Sequence, residues 1–248
     1  IRGSLNNAEV IEQALVGVDG IVHAAAKVSV SGDWEDYERT NIVGTQALLD
    51  AAIERSISKF LYVSSPSVAH AGTALIGEGN GAASPEHARG NYARSKATAE
   101  LAVLAANGTK LASGSTMRVG ALRPHLIWGP GDTQLVERIL DRARSGRLPL
   151  LSGGTGLIDT LYIDNAADAL VRGYERLESI AGRALVVTNG QPRTIAELLS
   201  GFCTAVGVPA PRFSVPAPAA AFAGRLIEKV WGRLPKSVTA GDEPPMTE

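Results

Sequence analysis

Tyr92 and Lys96 stand four residues apart in the run Tyr92-Ala93-Arg94-Ser95-Lys96. On a helix that spacing puts both on one face, one turn from each other. An ammonium beside a phenol stabilises the tyrosinate and lowers its pKa from about 10 toward the range of an acid–base catalyst. Upstream, the pair Ser64-Ser65 closes an apolar run. A hydroxyl there can hold a carbonyl oxygen beside the phenol. Such parts move a proton while a cofactor moves a hydride. The spacing alone is a weak signal, because many solvated helix faces carry a tyrosine and a lysine one turn apart. The surrounding elements decide.

Apolar and amphipathic runs alternate along the chain. Asn6 or Asn7 can cap a short helix through Leu15. Gly20-Ile21-Val22-His23-Ala24 predicts a buried strand, 34–54 a helix, and Lys59-Phe60-Leu61-Tyr62-Val63-Ser64 the next strand. A Gly-rich loop over 70–90 precedes a helix over 92–106, and Val119-Gly120-Ala121-Leu122-Arg123 is a further strand closed by Pro124. Helices are expected over 133–145, 164–177 and 195–206, with a strand over 184–188. A Pro-rich stretch, 208–218, opens an apolar-faced last helix, 219–234. A polar tail, 241–248, follows. Alternating strands and helices predict an α/β, doubly wound parallel sheet with helices on both faces. Ligands of such sheets sit at the carboxyl ends of the strands. Ala24, Ala25 and Ala26, then Ser64 and Ser65, then Pro124 and His125 all follow strand ends, so one rim should carry them.

Composition narrows the partners. The 248 residues are 45% hydrophobic and 5% aromatic. That is enough for one large or two unequal domains with a real core, and it suits helix-on-sheet packing better than a β-sandwich. The net charge of −1 comes without a basic block, which argues against nucleic acid. Cys203 cannot form an internal disulfide, so a cytoplasmic setting is expected. Among Leu198, Leu199 and Phe202 it reads as a core residue. No stretch approaches the ~20 apolar residues of a membrane span, and no signal peptide is visible. Docking on the chain's own substrate region is the expected role of the 219–234 face, with membrane-surface contact as its alternative. The histidines show no metal-ligand spacing, so no metal is expected. His23 reads as a satisfied core residue, and His70 and His87 as exposed loop residues.

Taken together, the motifs resemble extended short-chain dehydrogenase/reductases, and most closely their 3β-hydroxysteroid dehydrogenase-like and 2-alkyl-3-oxoalkanoate reductase-like branch. The matching runs come in that family's order: 18–26, then Asn41-Ile42-Val43-Gly44-Thr45, then 62–68, the Tyr92-to-Lys96 run, 122–132 and 162–169. The resemblance implies a Rossmann-type dinucleotide-binding domain (1–127 plus about 160–190) and a substrate-binding region (128–159 plus 191–248). It implies that Tyr92 is the general acid in reduction or the base in oxidation. Lys96 would lower the Tyr92 pKa and bond the nicotinamide ribose. Ser65 would hold the substrate oxygen, and Asn41 would position a proton-relay water. Ala24, Ala25 and Ala26 would let NAD or NADP approach the backbone; Ser64, Pro124 and His125 would line the same site. Pro66, Ser67, Trp128 and Ile158 would face the substrate. A homodimer built on the helices from Trp34 and Tyr92 is also implied by resemblance.

Two departures from the family pattern carry weight. The family's opening strand and G-x-x-G-x-x-G loop, which seats the cofactor pyrophosphate on a helix N-terminus, has no counterpart in these residues. Ser4 stands where an aspartate is usual. A longer natural protein is the expectation, over a trimmed chain or a true fragment that binds no dinucleotide. The choice between NAD and NADP belongs to the same absent segment. The second departure concerns substrate. Relatives acting on nucleotide sugars usually carry an arginine before the Tyr162-Ile163-Asp164 run, where it can grip a diphosphate. Ile158 stands there, followed by Asp159. The expectation is an NAD(P)-dependent oxidoreductase interconverting a hydroxyl and a ketone on a hydrophobic substrate. The alternatives are a nucleotide-sugar epimerase or dehydratase of the same fold, and a non-catalytic dinucleotide-binding protein.

Overall fold

The computed structural model describes residues 1–28, 32–69, 79–133 and 135–220. In chain order the elements are α1 (Ala8–Ala14), β1 (Ile21–His23), α2 (Trp34–Tyr37), a π-helical segment (Glu38–Val43), α3 (Gly44–Glu54), β2 (Lys59–Val63) and a 3₁₀ turn (Pro66–Ala69). They continue with α4 (Gly90–Ala105), β3 (Arg118–Pro124), β4 (Leu126–Trp128), α5 (Val136–Arg144), β5 (Leu150–Leu151), β6 (Leu157–Ile158) and β7 (Thr160–Tyr162). The last are α6 (Ile163–Glu175), β8 (Ala184–Val187), β9 (Arg193–Thr194), α7 (Ile195–Ala205) and β10 (Ser214–Val215). His70, part of the expected Gly-rich loop, all but the first two positions of the expected 219–234 helix, and the tail lie outside the described residues.

The chain divides into two units, 1–125 with 164–188 and 126–163 with 189–248. In the first, β1, β2, β3 and β8 form one parallel sheet in that order, with Ile21 opposite Phe60, Tyr62 opposite Ala121, and Leu122 opposite Leu185. Side chains alternate across the sheet as the strand period demands. Phe60 and Tyr62 enter a core with Ile11 of α1, Leu48 and Leu49 of α3, Val103 of α4 and Val119 of β3. Leu61 and Leu122 point the other way and meet Leu177, with Leu170 and Tyr174 of α6 packed against them. Both faces are thus covered, as a parallel sheet requires. Asn7 caps α1: its side chain accepts from the N–H of Glu9 (2.9 Å) and of Val10 (3.3 Å).

The expected continuous helix over 34–54 is interrupted. Glu38–Val43 is π-helical, between α2 and α3. Asn41, at the centre of this segment, has its amide bonded inward instead of to water (below). Single-turn π segments of this kind concentrate at functional positions.

Among its described residues, the second unit is built from pairs of short strands and two helices. β4 pairs with β7 and β5 with β10 in parallel; β6 pairs with β9 in antiparallel fashion. Leu140, Ala143 and Leu148 pack with Phe202 and Cys203 of α7, so Cys203 is a core residue. Thr194 and Glu197 form a capping box at the start of α7. Gly154, with φ of 68°, lies where a Cβ would come within 2.9 Å of the Ala196 backbone nitrogen; only glycine suits both the angle and the approach. Among the described residues no helix is long and apolar enough to cross a membrane, and no cluster of His, Cys, Asp or Glu could hold a metal ion.

Candidate active site

Because β1, β2, β3 and β8 run parallel, their carboxyl ends share one edge of the sheet. Ala24 to Ala26 follow β1, Ser64 and Ser65 follow β2, and His125 follows β3, where its N–H donates to the Val187 carbonyl (2.9 Å). Ala24 and Ala25 are exposed, so backbone at the β1 end is open to a ligand.

Tyr92 sits in the first turn of α4, with the Ser65 hydroxyl near enough to its phenol to influence its ionisation. The Ser65 and Ser67 hydroxyls lie 2.9 Å apart, and the Ser67 N–H donates to Ser65 Oγ (3.3 Å). The 3₁₀ turn after β2 thereby fixes the serine that faces the tyrosine. Burial raises the Tyr92 pKa above the ordinary phenol value, and the Ser65 hydroxyl partly opposes the rise. The sequence-based expectation was a phenol pulled down by Lys96. In the folded chain burial raises the phenol, and Ser65 is the group that opposes the rise.

Lys96 is 2% exposed. Its ammonium donates to the Val63 carbonyl (2.6 Å) at the end of β2 and lies 4.1 Å from the centroid of the Tyr62 ring. Burial lowers its pKa to about 7, against a smaller upward pull from Glu100. His23 and Thr45 share a hydrogen bond of 2.8 Å, and burial, then Lys96, lowers the His23 pKa to about 4. His23 is accordingly a neutral, satisfied core residue. Among the described residues, Tyr62 Oη and Ser64 Oγ are buried without a hydrogen-bond partner.

Asn41 is 1% exposed. Its Nδ2 donates to the Lys27 carbonyl (3.1 Å) and to Ser95 Oγ (2.9 Å), while the Lys27 N–H donates to its Oδ1 (2.7 Å). Ser95 Oγ in turn donates to the Tyr92 carbonyl (2.8 Å). A continuous chain of hydrogen bonds therefore runs from the loop after β1, through Asn41 and Ser95, to the backbone of Tyr92. The amide of Asn41 thus holds the Lys27 backbone and Ser95 together. Ser95 was missed, although it stands inside the Tyr92-to-Lys96 run as a polar residue on the buried helix face.

The other expected substrate residues are accounted for separately. Pro66 and Ser67 lie in the 3₁₀ turn beside Ser65. Trp128 and Ile158 belong to the second unit. There the Trp128 indole N–H donates to Thr160 Oγ1 (3.1 Å), and its ring meets Tyr162 and Phe202 edge-on, each at 5.2 Å. Ile158 is half-buried and opposite Arg193 in the β6–β9 pair. The neighbouring Asp159 accepts from the N–H of Thr160 (2.8 Å) and of Gln191 (3.4 Å).

The sequence profile of the 3-beta hydroxysteroid dehydrogenase/isomerase family matches residues 1–217. The 2-alkyl-3-oxoalkanoate reductase of Stenotrophomonas maltophilia is 39% identical, over 100% of this chain and 73% of that protein. The decarboxylating sterol-4-alpha-carboxylate 3-dehydrogenase of Mus musculus is 30% identical, over 86% of this chain and 59% of that protein. The chain thus spans only part of the length of these relatives, both of which are oxidoreductases by name. Among solved structures, UDP-glucuronic acid 4-epimerase from Bacillus cereus, in complex with NAD, superposes with a TM-score of 0.72 at 21% identity, covering 88% of this chain and 69% of that one; this likeness concerns the Rossmann fold. The chain belongs to the 3-beta hydroxysteroid dehydrogenase/isomerase family, a family of oxidoreductases.

Proposed function

We propose that this chain is the catalytic part of an NAD(P)-dependent oxidoreductase that interconverts a hydroxyl and a ketone on a hydrophobic substrate. The substrate is 3β-hydroxysteroid-like or 2-alkyl-3-oxoalkanoate-like. The observation that carries this reading is the convergence of the Ser65 hydroxyl and a half-buried Tyr92, with the Lys96 ammonium anchored at the end of β2. A phenol whose pKa is raised keeps its proton at neutral pH. Tyr92 therefore serves as the acid that protonates a ketone oxygen, and higher pH is needed for it to act as the base on an alcohol. Ser65 donates to the same oxygen and holds it at hydrogen-bonding distance from the phenol. Lys96 carries positive charge beside the site while its proton is on, and so favours the tyrosinate left after transfer.

The residues of the strand-end rim fit a dinucleotide. Ser64 Oγ is buried without a partner among the described residues, so a ligand hydroxyl or amide can complete its bonding. Ala24 and Ala25 leave the β1 end uncrowded, and Lys96 has donors to spare beyond Val63. Ala24 to Ala26, Ser64, Tyr92, Lys96, Pro124 and His125 would hold the cofactor, which when bound supplies the hydride or accepts it. On the substrate side, Ile158 removes the charge that a sugar diphosphate would need, and Asp159 is engaged with backbone N–H groups. The names of the relatives point the same way, toward sterol and alkyl-oxoalkanoate substrates.

The test combines fluorescence titration with NADH and NADPH with turnover of steroid 3-alcohols, 2-alkyl-3-oxoalkanoates and UDP-sugars. Tyr92→Phe should cut turnover by about 10²- to 10⁴-fold and leave cofactor affinity nearly unchanged. Full activity in that variant, or turnover confined to UDP-sugars, would overturn the proposal.

A further inference from the structure

Behind Lys96 lies a second buried cation. Arg123, in β3, is 1% exposed, as is Glu100 on α4. Arg123 Nε donates to Glu100 Oε2 (2.9 Å) and Nη2 to Oε1 (2.6 Å), the two-pronged grip that a guanidinium makes on a carboxylate. Arg123 Nη1 also donates to the carbonyls of Asn80 and Gly81 (3.0 Å for Gly81). Glu100 stands one helical turn beyond Lys96 and two beyond Tyr92, on the face of α4 turned to the sheet.

Among the described residues, two cations and one carboxylate share this interior. A guanidinium does not give up its proton in a protein, whereas a buried lysine does so readily. If the carboxylate were missing, the excess buried charge would be relieved at Lys96. Resting on the reading of Lys96 given above, we propose that Glu100 is a positioning residue of the active site: gripped by Arg123, it balances that arginine's charge, keeps the Lys96 ammonium charged and ties the Tyr92–Lys96 face of α4 to β3. Among the described residues, the other groups facing this cluster are Tyr62 from β2, His23 from β1 and Tyr92 on α4, all neutral near pH 7. They cannot substitute for the carboxylate. The pull of Glu100 on Lys96 opposes the larger effect of burial, in keeping with this role.

The test follows the Lys96 side-chain resonance of the whole chain, labelled with ¹³C-lysine, as pH is varied. Glu100→Gln should move the Lys96 midpoint down by more than one pH unit, and the alkaline limb of turnover should move down with it. The double variant Glu100→Gln/Arg123→Met removes both charges and should bring the midpoint back to within about half a unit of the parent. A midpoint unmoved in Glu100→Gln, or equally displaced in the double variant, overturns the proposal. If Glu100→Gln does not fold, the unmodified chain decides. Its Glu100 carboxyl resonance should step at the Lys96 midpoint, and a resonance flat through that pH overturns the proposal. The resonance readings need no turnover, so an inactive chain would refute the proposed function while the Lys96 midpoints still decide the role of Glu100.

Discussion

In the unit formed by 1–125 and 164–188, the interior holds His23, Asn41, Lys96, Glu100 and Arg123 among its buried polar side chains; in the unit formed by 126–163 and 189–248, Thr160 is the buried polar side chain among the described residues. The core of the second unit is Leu140, Leu148, Phe202 and their apolar neighbours. Burying a charge costs several kcal/mol unless it is paired and hydrogen-bonded. The first unit meets that cost with the Arg123–Glu100 pair, the Lys96–Val63 bond and the Asn41 bonds to Lys27 and Ser95. An interior built this way is tuned by pH. One built from side chains without protons to lose responds to volume.

The contrast can be broken or sharpened by measurement. The largest stability effect is expected in the second unit: Phe202→Ala, which removes a buried ring set edge-on to Trp128, should cost about 3–5 kcal/mol. The loss should be the same at pH 5 and pH 8 in chemical denaturation, and a loss confined to one pH would break the contrast. Next comes His23. Its folded pKa of about 4 lies below the unfolded value of 6.5, so between those values the unfolded chain binds more protons. The His23 contribution is whole above pH 6.5 and is lost as pH falls toward 4, about 3 kcal/mol in all. His23→Gln keeps a hydrogen-bonding group near Thr45 and should flatten the stability profile in that window; an unchanged profile would show that another group carries the acid sensitivity. Lys96 acts in the same sense at higher pH, its contribution rising between about 7 and its unfolded value. The smallest effect is at the surface. Arg172→Ala removes an exposed bond to Asp168 (2.7 Å) and should leave the melting midpoint unmoved.

Much of the sheet unit was legible because its elements are long enough to show a period. The expected strand at 59–64 is β2, that at 119–123 is β3, and the helix at 92–106 is α4, each within a residue or two. Strands of two or three residues, such as β5, β6 and β9, carry no readable alternation, and the second unit is made largely of them. The site was legible where a local motif exists, at Ser65, Tyr92 and Lys96. The groups that set its electrostatics were not, because the partners of Glu100 and Arg123 are remote in sequence. One signal was available: an arginine between Leu122 and Pro124, inside an otherwise apolar strand, needs a buried carboxylate or carbonyls to receive it. Asparagine is a poor helix former, and Asn41 is held in its helical segment by bonds to Lys27 and Ser95.

The π-helical segment at Glu38–Val43 makes this region sensitive to length more than to composition. Such a segment amounts to one residue added to an α-helix. Removing any one residue there would let the backbone close into ordinary α-helical bonding, but each residue is about 100° of rotation around the axis. Everything on the amino-terminal side would turn by that angle relative to α3. Tyr37 would swing out of the interior, and Trp34 would leave the guanidinium of Arg94, now 4.3 Å from its ring, at the opening turn of the helix that carries Tyr92. A single-codon deletion here would give a more regular helix with its faces out of phase, whereas most exchanges at the exposed positions of the same stretch would pass unnoticed.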